Sequence, residues 1–516
     1  MGDLYVPLDH ERGGVAAQVA SGLREAVCSG RLAPGDRLPS SRDLAADLGV
    51  SRGVVVEAYE QLVAEGFLVS RVGSGTRVAP AATRGRPATA EIPESYCHYQ
   101  SRATSPDLSH FPRERWLAAL RHALNTIPSD ALDYGDPAGV PELREELAGY
   151  LRRVRAADVD PANLIIVGGV AQGLSLVIHV LAERDRRLGT ADRCGRPGTP
   201  ATADRGARPG TSGTAARPGT SGTAAWPGTS GTAGRRRQGG RHGRIGLAVE
   251  DPTSQRQIPL LRRAGADPLP VPVDGRGLDV AALRDHPARA VLVTPAHQYP
   301  TGVVLSPGRR AALVEWAREA DAIVLEDDYD AEFRYDRDPV GCLQGLAPDR
   351  VVLVGSVSKA LAPGLRLGWV VAPPALAGAI RLARGEFDLG SPVVEQYALA
   401  AFLRDGGYDR HLRRMRREYR RRRDALVRAL AEHLPEVRVR GIEAGLHVHL
   451  DLPAGWEEER VVAAGRELGL AMEAVGPMRF APGRPAVAAG FSRLPVHRAA
   501  EAVRGLKARM SGGIAD

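Results

Sequence analysis

Lysine is nearly missing from this chain. Of 69 Lys plus Arg in 516 residues only Lys359 and Lys507 are lysine, so almost all positive charge is arginine. Arginine keeps its proton at any working pH, whereas a lysine amine can lose it and attack a carbonyl. A lysine kept in such a composition is a candidate for chemistry rather than for charge. Cysteine is scarce as well: Cys28, Cys97, Cys194 and Cys342 stand far apart, with no CxxC pair and no metal-ligand spacing. That pattern excludes a disulfide framework, gives no metal site to expect, and fits free thiols in a reducing cytoplasm. The sequence has no run of 18 apolar residues and no basic-then-apolar leader, so a cytoplasmic protein without a membrane partner is expected.

A surplus of acidic charge is lacking too, but the net charge of +8 is not spread evenly. Residues 184–244 hold 13 Arg against 3 Asp, a net of +10 that exceeds the whole chain's balance. The same stretch carries "RPGTSGTAA" at 208–216 and 217–225, then "WPGTSGTAG" at 226–234. Gly, Pro, Ser and Thr at this density bury too little apolar surface to offset ordering entropy. Residues 185–243 are therefore expected to be a low-complexity, disordered insert, and the basic balance by itself is no argument for DNA.

At this length two or three domains are expected. Residues 1–79 carry a compact helical pattern. Val15, Val19, Leu23 and Val27 recur at i+4 on one helical stripe. Ser40 with Asp43 three residues on reads as a capping box before a short helix, and Ser51 as a second N-cap for a helix running to about Glu65. Gly49 and Val50 make the turn between them, giving a helix-turn-helix followed by a hairpin around Gly73–Gly75. Ser51 and Arg52 would bring the start of the second helix to phosphates and base edges in a major groove, with Arg42 on the preceding helix and Arg71 and Arg77 flanking the wing. Residues 80–105, rich in Pro, Ala, Thr and Arg, read as a linker.

From 106 onwards short Val/Ile/Leu runs alternate with amphipathic stretches, the pattern of an α/β domain. Lys359 follows the strand-like "RVVLVGS" (350–356), and Ser356, Ser358 and Arg366 surround it with phosphate partners. "AIVLE" (322–326) leads into Asp327 and Tyr329, and "NLIIV" (163–167) leads through Gly168-Gly169 into a helix whose first N–H groups suit an anion. Lysine, phosphate anchors, a carboxylate and a tyrosine at strand ends are the set that pyridoxal 5'-phosphate requires.

Two family resemblances rest on these motifs. "GRLAPGDRLPSSRDLAADLG" with the closing "GSGT" (73–76) resembles the winged helix-turn-helix of GntR-superfamily regulators, which implies operator binding by a dimer and adds Gly75 to the DNA-facing candidates. Residues 106–516, the insert excluded, resemble class I/II (fold-type I) aminotransferases, so the whole chain is similar to the MocR/GabR-type regulators. That resemblance implies an aldimine at Lys359, Arg366 as phosphate ligand, Asp327 as partner of the pyridinium and Tyr329 as donor to the phenolic oxygen. It further implies phosphate-binding backbone at Gly169, Val170 and Ala171, and Tyr134 reaching the phosphate of the neighbouring subunit in a homodimer with shared sites. Arg484 stands where a substrate carboxylate would be clamped. Ser254, in "EDPTS", replaces an aromatic that stacks on the cofactor, Tyr299 replaces the usual asparagine, and the arginine-rich stretch 410–423 reads as a solvated helix face. The function implied is a regulator that senses an amine, an amino acid or the cofactor itself through Lys359. The competing reading is a working aminotransferase that carries a DNA-binding domain.

Overall fold

The computed structural model describes residues 8–9, 14–71, 75–80, 102–194, 244–335 and 341–511. The chain divides into two compact units, Met1–Cys97 and His98–Asp516.

The first unit packs three helices, α1 (Val15–Cys28), α2 (Ser41–Leu48) and α3 (Arg52–Ala64), beneath the hairpin of β1 (Leu68–Arg71) and β2 (Gly75–Val78). Val19, Leu23, Leu44, Val55, Leu62 and Leu68 are buried together, which is the stripe expected from the i+4 spacing carried across the helices. Ser40 caps α2 by accepting from the Asp43 N–H while its hydroxyl donates to the Asp43 carboxylate at 2.7 Å. Gly49 ends that helix in the left-handed region (φ 64°), a conformation that costs most side chains about 1 kcal/mol or more. The turn of the helix-turn-helix is thus fixed by a residue without a Cβ. The tip of the wing, residues 72–74, lies outside the described residues.

In the second unit an eight-stranded sheet carries the site. Its strands are β3 (Leu164–Val167), β4 (Ile245–Asp251), β5 (Ala266–Asp274), β6 (Gly277–Leu278), β7 (Ala290–Val293), β8 (Ile323–Asp328), β9 (Val351–Ser356) and β10 (Gly368–Val371), in the order β3-β10-β9-β8-β7-β4-β5-β6. The strands from β5 through β7 and β8 to β9 are parallel, and β10 runs antiparallel between β9 and β3. Helices α5 (Pro141–Arg155), α6 (Val170–Cys194), α7 (Gln257–Arg263), α8 (Pro307–Glu319) and α9 (Pro374–Asp388) pack against it, while α4 (Arg113–Thr126) and α11 (Gly407–His433) pack on α10 (Val393–Arg404). A smaller four-stranded sheet, β11 (Arg438–Arg440), β12 (His447–Asp451), β13 (Ala471–Ala474) and β14 (Ala486–Gly490), follows with α12 (Glu458–Glu467) and α13 (Ala499–Ser511). Strands β8 and β9 are buried along their whole length, as near-continuous apolar runs require when both faces of a parallel sheet are covered. The strand-like runs read from the sequence coincide with β3, β8 and β9 to within two residues.

Two boundaries differ from those the sequence suggests. The linker expected over 80–105 ends early: the Ala103 N–H donates to Glu473 at 3.0 Å and the Ser492 hydroxyl donates to the Ser105 carbonyl, so residues 102–105 belong to the second unit. Composition suggested a loop, but small residues are what a close backbone approach demands, since a Cβ on Gly490 would meet the Ala103 carbonyl at 2.3 Å. The insert also starts later than residue 185, because α6 continues to Cys194. The rest of the insert lies outside the described residues.

Candidate functional site

In the first unit α3 begins with Ser51 and Arg52, both exposed, and the Arg52 guanidinium is steadied by the Ser41 hydroxyl at 3.3 Å. Arg42 is exposed on the first turn of α2, and Arg71 is exposed at the end of β1. Arg77 is committed to structure: its guanidinium donates to the Gly35 carbonyl at 2.8 Å, tying β2 to the turn before α2. Gly75 (φ 82°) packs against Arg37, whose guanidinium a Cβ would meet at 3.1 Å. Arg37, exposed beside the wing, was not among the residues singled out for DNA. Tyr59 of α3 donates to the Pro39 carbonyl at 2.9 Å, so both helices of the motif hold one orientation.

In the second unit Lys359 lies three residues beyond the end of β9, and its side chain is largely withdrawn from solvent. Burial lowers the amine's pKa, opposed by the nearby carboxylates of Asp330, Glu473 and Asp327. Its Nζ donates to the Thr104 hydroxyl at 3.3 Å. Lys507, by contrast, is exposed on α13. Sequence reasoning missed Thr104, because it sits in the stretch assigned to the linker.

Asp327, next to last in β8, is 5% exposed. One carboxylate oxygen accepts from the Gln257 amide at 3.1 Å, and the other has no partner. Burial pushes this carboxyl up to about 7, with Asp328 and Asp330 raising it further and the Gln257 bond opposing. Tyr329 is half-buried, its hydroxyl 3.3 Å from His297 Nδ1 and its ring 6.4 Å from that of Tyr299 in an edge contact. Tyr299 does not stand in as a ring-facing amide would: its hydroxyl donates to Glu473 at 3.0 Å. Glu250 of β4 accepts from the Thr294 hydroxyl at 2.6 Å, and burial pushes it up to about 7.

A second cluster forms where α6 begins. Gly169 (φ 114°) lies against Arg366, so that a Cβ there would meet the guanidinium at 3.3 Å. A Cβ on Gly368 would meet the Gly169 Cα at 2.8 Å and the Ser356 Cβ at 3.1 Å. Gly169, Val170, Ala171, Ser356 and Arg366 are therefore brought to one place by the junctions β3–α6 and β9–β10. The first N–H groups of a helix have no intrahelical partners, and the helix dipole favours an anion there. Ser358 is partly buried, and its N–H donates to the Ser356 hydroxyl at 3.4 Å.

Two expected residues stand apart. Tyr134 is 83% exposed. Arg484 is exposed in the loop before β14, where its carbonyl accepts from Arg479 at 2.5 Å. The loop is turned to solvent because the buried run of β14 starts only at Ala486. Ser254 holds the start of α7 through its carbonyl, which accepts from the Gln257 N–H at 3.0 Å.

The comparisons agree with this division. Residues 15–78 match the family model for bacterial regulatory proteins of the gntR family, and residues 242–500 match aminotransferase class I and II. Among curated proteins, an HTH-type pyridoxine biosynthesis transcriptional regulator of Corynebacterium glutamicum is 34% identical over 87% of this chain and 86% of its own. An HTH-type regulator, TauR, of Rhodobacter capsulatus is 31% identical over 90% and 89%. The probable rhizopine catabolism regulatory protein MocR of Rhizobium meliloti is 27% identical over 88% and 85%. Among solved structures, a Pyrococcus horikoshii kynurenine aminotransferase covers 80% of this chain and 91% of its own at 23% identity, with a TM-score of 0.62. An α-aminoadipate aminotransferase of Thermus thermophilus covers 82% and 96%, also at 23% identity and a TM-score of 0.62. These structures share the aminotransferase fold with the second unit.

Proposed function

This chain belongs to the MocR-type regulators, GntR-type helix-turn-helix proteins with a class I/II aminotransferase domain, and on that premise we propose that it binds operator DNA and reads a small amine through pyridoxal phosphate held at Lys359. The observation that carries the cofactor reading is the buried Asp327 oxygen without a partner, in the same site as a shielded lysine amine. A protonated ring nitrogen is the group such an oxygen lacks. The cradle of Gly169, Ser356 and Arg366 has the donors a phosphate needs, and the fit is consistent with solved relatives of the fold that carry PMP or a phosphopyridoxyl ligand.

Bound, the cofactor would supply an aldehyde that condenses with amines and a ring that withdraws electrons. The protein's residues do the rest. Lys359 provides the amine, and its burial favours the neutral, nucleophilic form. Asp327 would hold the proton on the ring nitrogen, Tyr329 would donate to the phenolic oxygen, and Arg366 with the first α6 N–H groups would hold the phosphate. Tyr134, exposed in one chain, is free to complete the site of a second copy in a homodimer. The effector is an amine, an amino acid or the cofactor, and it acts by binding unequally to the conformations that present the helix-turn-helix.

A working aminotransferase is the second reading, favoured by the presence of lysine, aspartate and tyrosine together. It is weakened by Arg484, which is exposed in the structure rather than gathered with Lys359. The test is an absorbance spectrum of purified protein, native and Lys359→Ala. A near-visible band that disappears with the lysine is expected, and its absence from the native protein overturns the cofactor reading. Sustained turnover with amino-donor and keto-acid pairs would replace the sensor with an enzyme.

A further inference from the structure

Histidine is costly to bury when a ring nitrogen lacks a partner, and two such nitrogens occur together near Lys359. His297, in the turn after β7, and His447, at the start of β12, are 1% and 0% exposed, with ring centroids 4.8 Å apart. His297 spends Nδ1 on Asp330 at 3.0 Å, and His447 spends Nε2 on the Pro300 carbonyl at 3.3 Å. The opposite nitrogens, His297 Nε2 and His447 Nδ1, have no hydrogen-bond partner. Each unsatisfied buried polar atom costs about 1–3 kcal/mol, so a pair of them calls for a ligand.

The Pro300 carbonyl on His447 Nε2, with the Nδ1 lone pair left over, is the arrangement found around metal-bound histidines. We infer that His297, His447 and Asp330 form a binding site for a borderline divalent cation of the zinc class, which takes the place of the proton that His297 Nδ1 and Asp330 now share. Among the described residues they are the group of His, Cys, Asp and Glu whose ligand atoms come together, all within 4.8 Å of one another. Zinc holds such atoms at about 2.0–2.2 Å, so tetrahedral neighbours lie about 3.4 Å apart and the widest pair must close by about 1.4 Å, within reach of side-chain rotation.

Two imidazoles and one carboxylate suit zinc or a neighbouring transition ion better than calcium or magnesium, which take oxygen ligands. The surroundings hold the trio in place. Gly445 (φ 77°) closes over it so tightly that a Cβ would lie 2.2 Å from His297 Nδ1 and 2.5 Å from the Asp330 oxygen. The charges facing the site are Asp330 within it, the Lys359 amine, the His449 ring and, beside Tyr329, Asp327.

The test uses the full-length protein dialysed against Zn²⁺, freed of excess, and counted for metal by inductively coupled plasma mass spectrometry. One equivalent per chain is expected, falling about tenfold or more in affinity for His447→Gln and for His297→Gln, with exposed His122→Gln unchanged. Lys359→Ala is expected to keep the metal, because the lysine repels the ion rather than ligating it. X-ray absorption on the wild-type protein needs no variant, and should show a shell of nitrogen and oxygen at about 2.0–2.1 Å with imidazole scattering. Metal far below one equivalent in the wild type overturns the inference. So does metal content indifferent to both histidine substitutions, loss of metal with Lys359→Ala, or a sulfur shell.

Discussion

Replacing Asp327 by asparagine in protein freed of its cofactor removes a carboxyl that burial pushes up to about 7 from its ordinary 3.8. A carboxyl whose folded value is raised leaves stability intact below 3.8 and takes it away as the pH climbs towards 7. At 1.36 kcal/mol per unit, the ionised aspartate costs the empty domain on the order of 4 kcal/mol at alkaline pH. Asparagine has nearly the same shape and carries no such term. Between pH 5 and 8 the variant should therefore gain roughly 2.5 kcal/mol on the wild type. Urea unfolding of both cofactor-free proteins across that range measures the gap. With the cofactor added the order reverses, because a protonated ring nitrogen stabilises the aspartate and not the asparagine. A gap that is flat with pH, or that narrows as pH rises, refutes the buried-charge argument.

Arg155, 1% exposed, donates from Nε and Nη2 to the two oxygens of Asp328 at 2.8 Å each. Arg155→Ala leaves that carboxylate buried and alone, and should cost about 3–5 kcal/mol of stability by chemical denaturation. Arg52→Ala should weaken operator binding by about 1–3 kcal/mol in a titration at fixed salt, with the fold of the first unit unchanged by circular dichroism. Equal affinity for wild type and variant removes Arg52 from the DNA-facing set.

Local signals carried the first unit and the strand ends of the second into view from sequence. Ser40 and Asp43 form a cap within four residues, and Gly49 marks a turn that only a left-handed residue completes. The runs ending at Val167 and Ser356, and the one leading into Asp327, are mostly apolar and buried along their whole length, because both faces of the sheet are covered. What sequence did not show depends on distant partners. Thr104 reaches Lys359 across 255 residues, out of a stretch whose composition looks like a linker. His297, Asp330 and His447 are brought together by one turn, the end of one strand and the start of another, with no spacing to betray them. Arg77, read as flanking the wing, is exposed and also donates to the Gly35 carbonyl, a contact across 42 residues that no local spacing shows. Arg484 fits its motif approximately, and the structure leaves it exposed in the loop before β14.

A sensor of this design needs a physical route from Lys359 towards the DNA-binding unit, and the chain itself offers one. Residues 102–105 are the first described stretch after that unit, and they are held by the Ala103 N–H on Glu473, by the Ser105 carbonyl on Ser492 and by the Thr104 hydroxyl on the lysine amine. A Lys359 amine that engages a cofactor would have to give up or redirect its hydrogen bond to Thr104. Thr104→Val keeps the shape of the side chain and removes the hydroxyl. The lysine-dependent near-visible band should survive that change, since Thr104 donates nothing to the cofactor's anchors. Operator affinity should then respond less to effector, by a factor of about 5 or more if the bond carries a coupling of about 1 kcal/mol. Measuring operator binding with and without effector, in wild type and in Thr104→Val, separates the two outcomes. An unchanged effector response in a variant that keeps its spectrum shows that the signal leaves Lys359 by another path, and the anchors at Glu473 and Ser492 become the next to test.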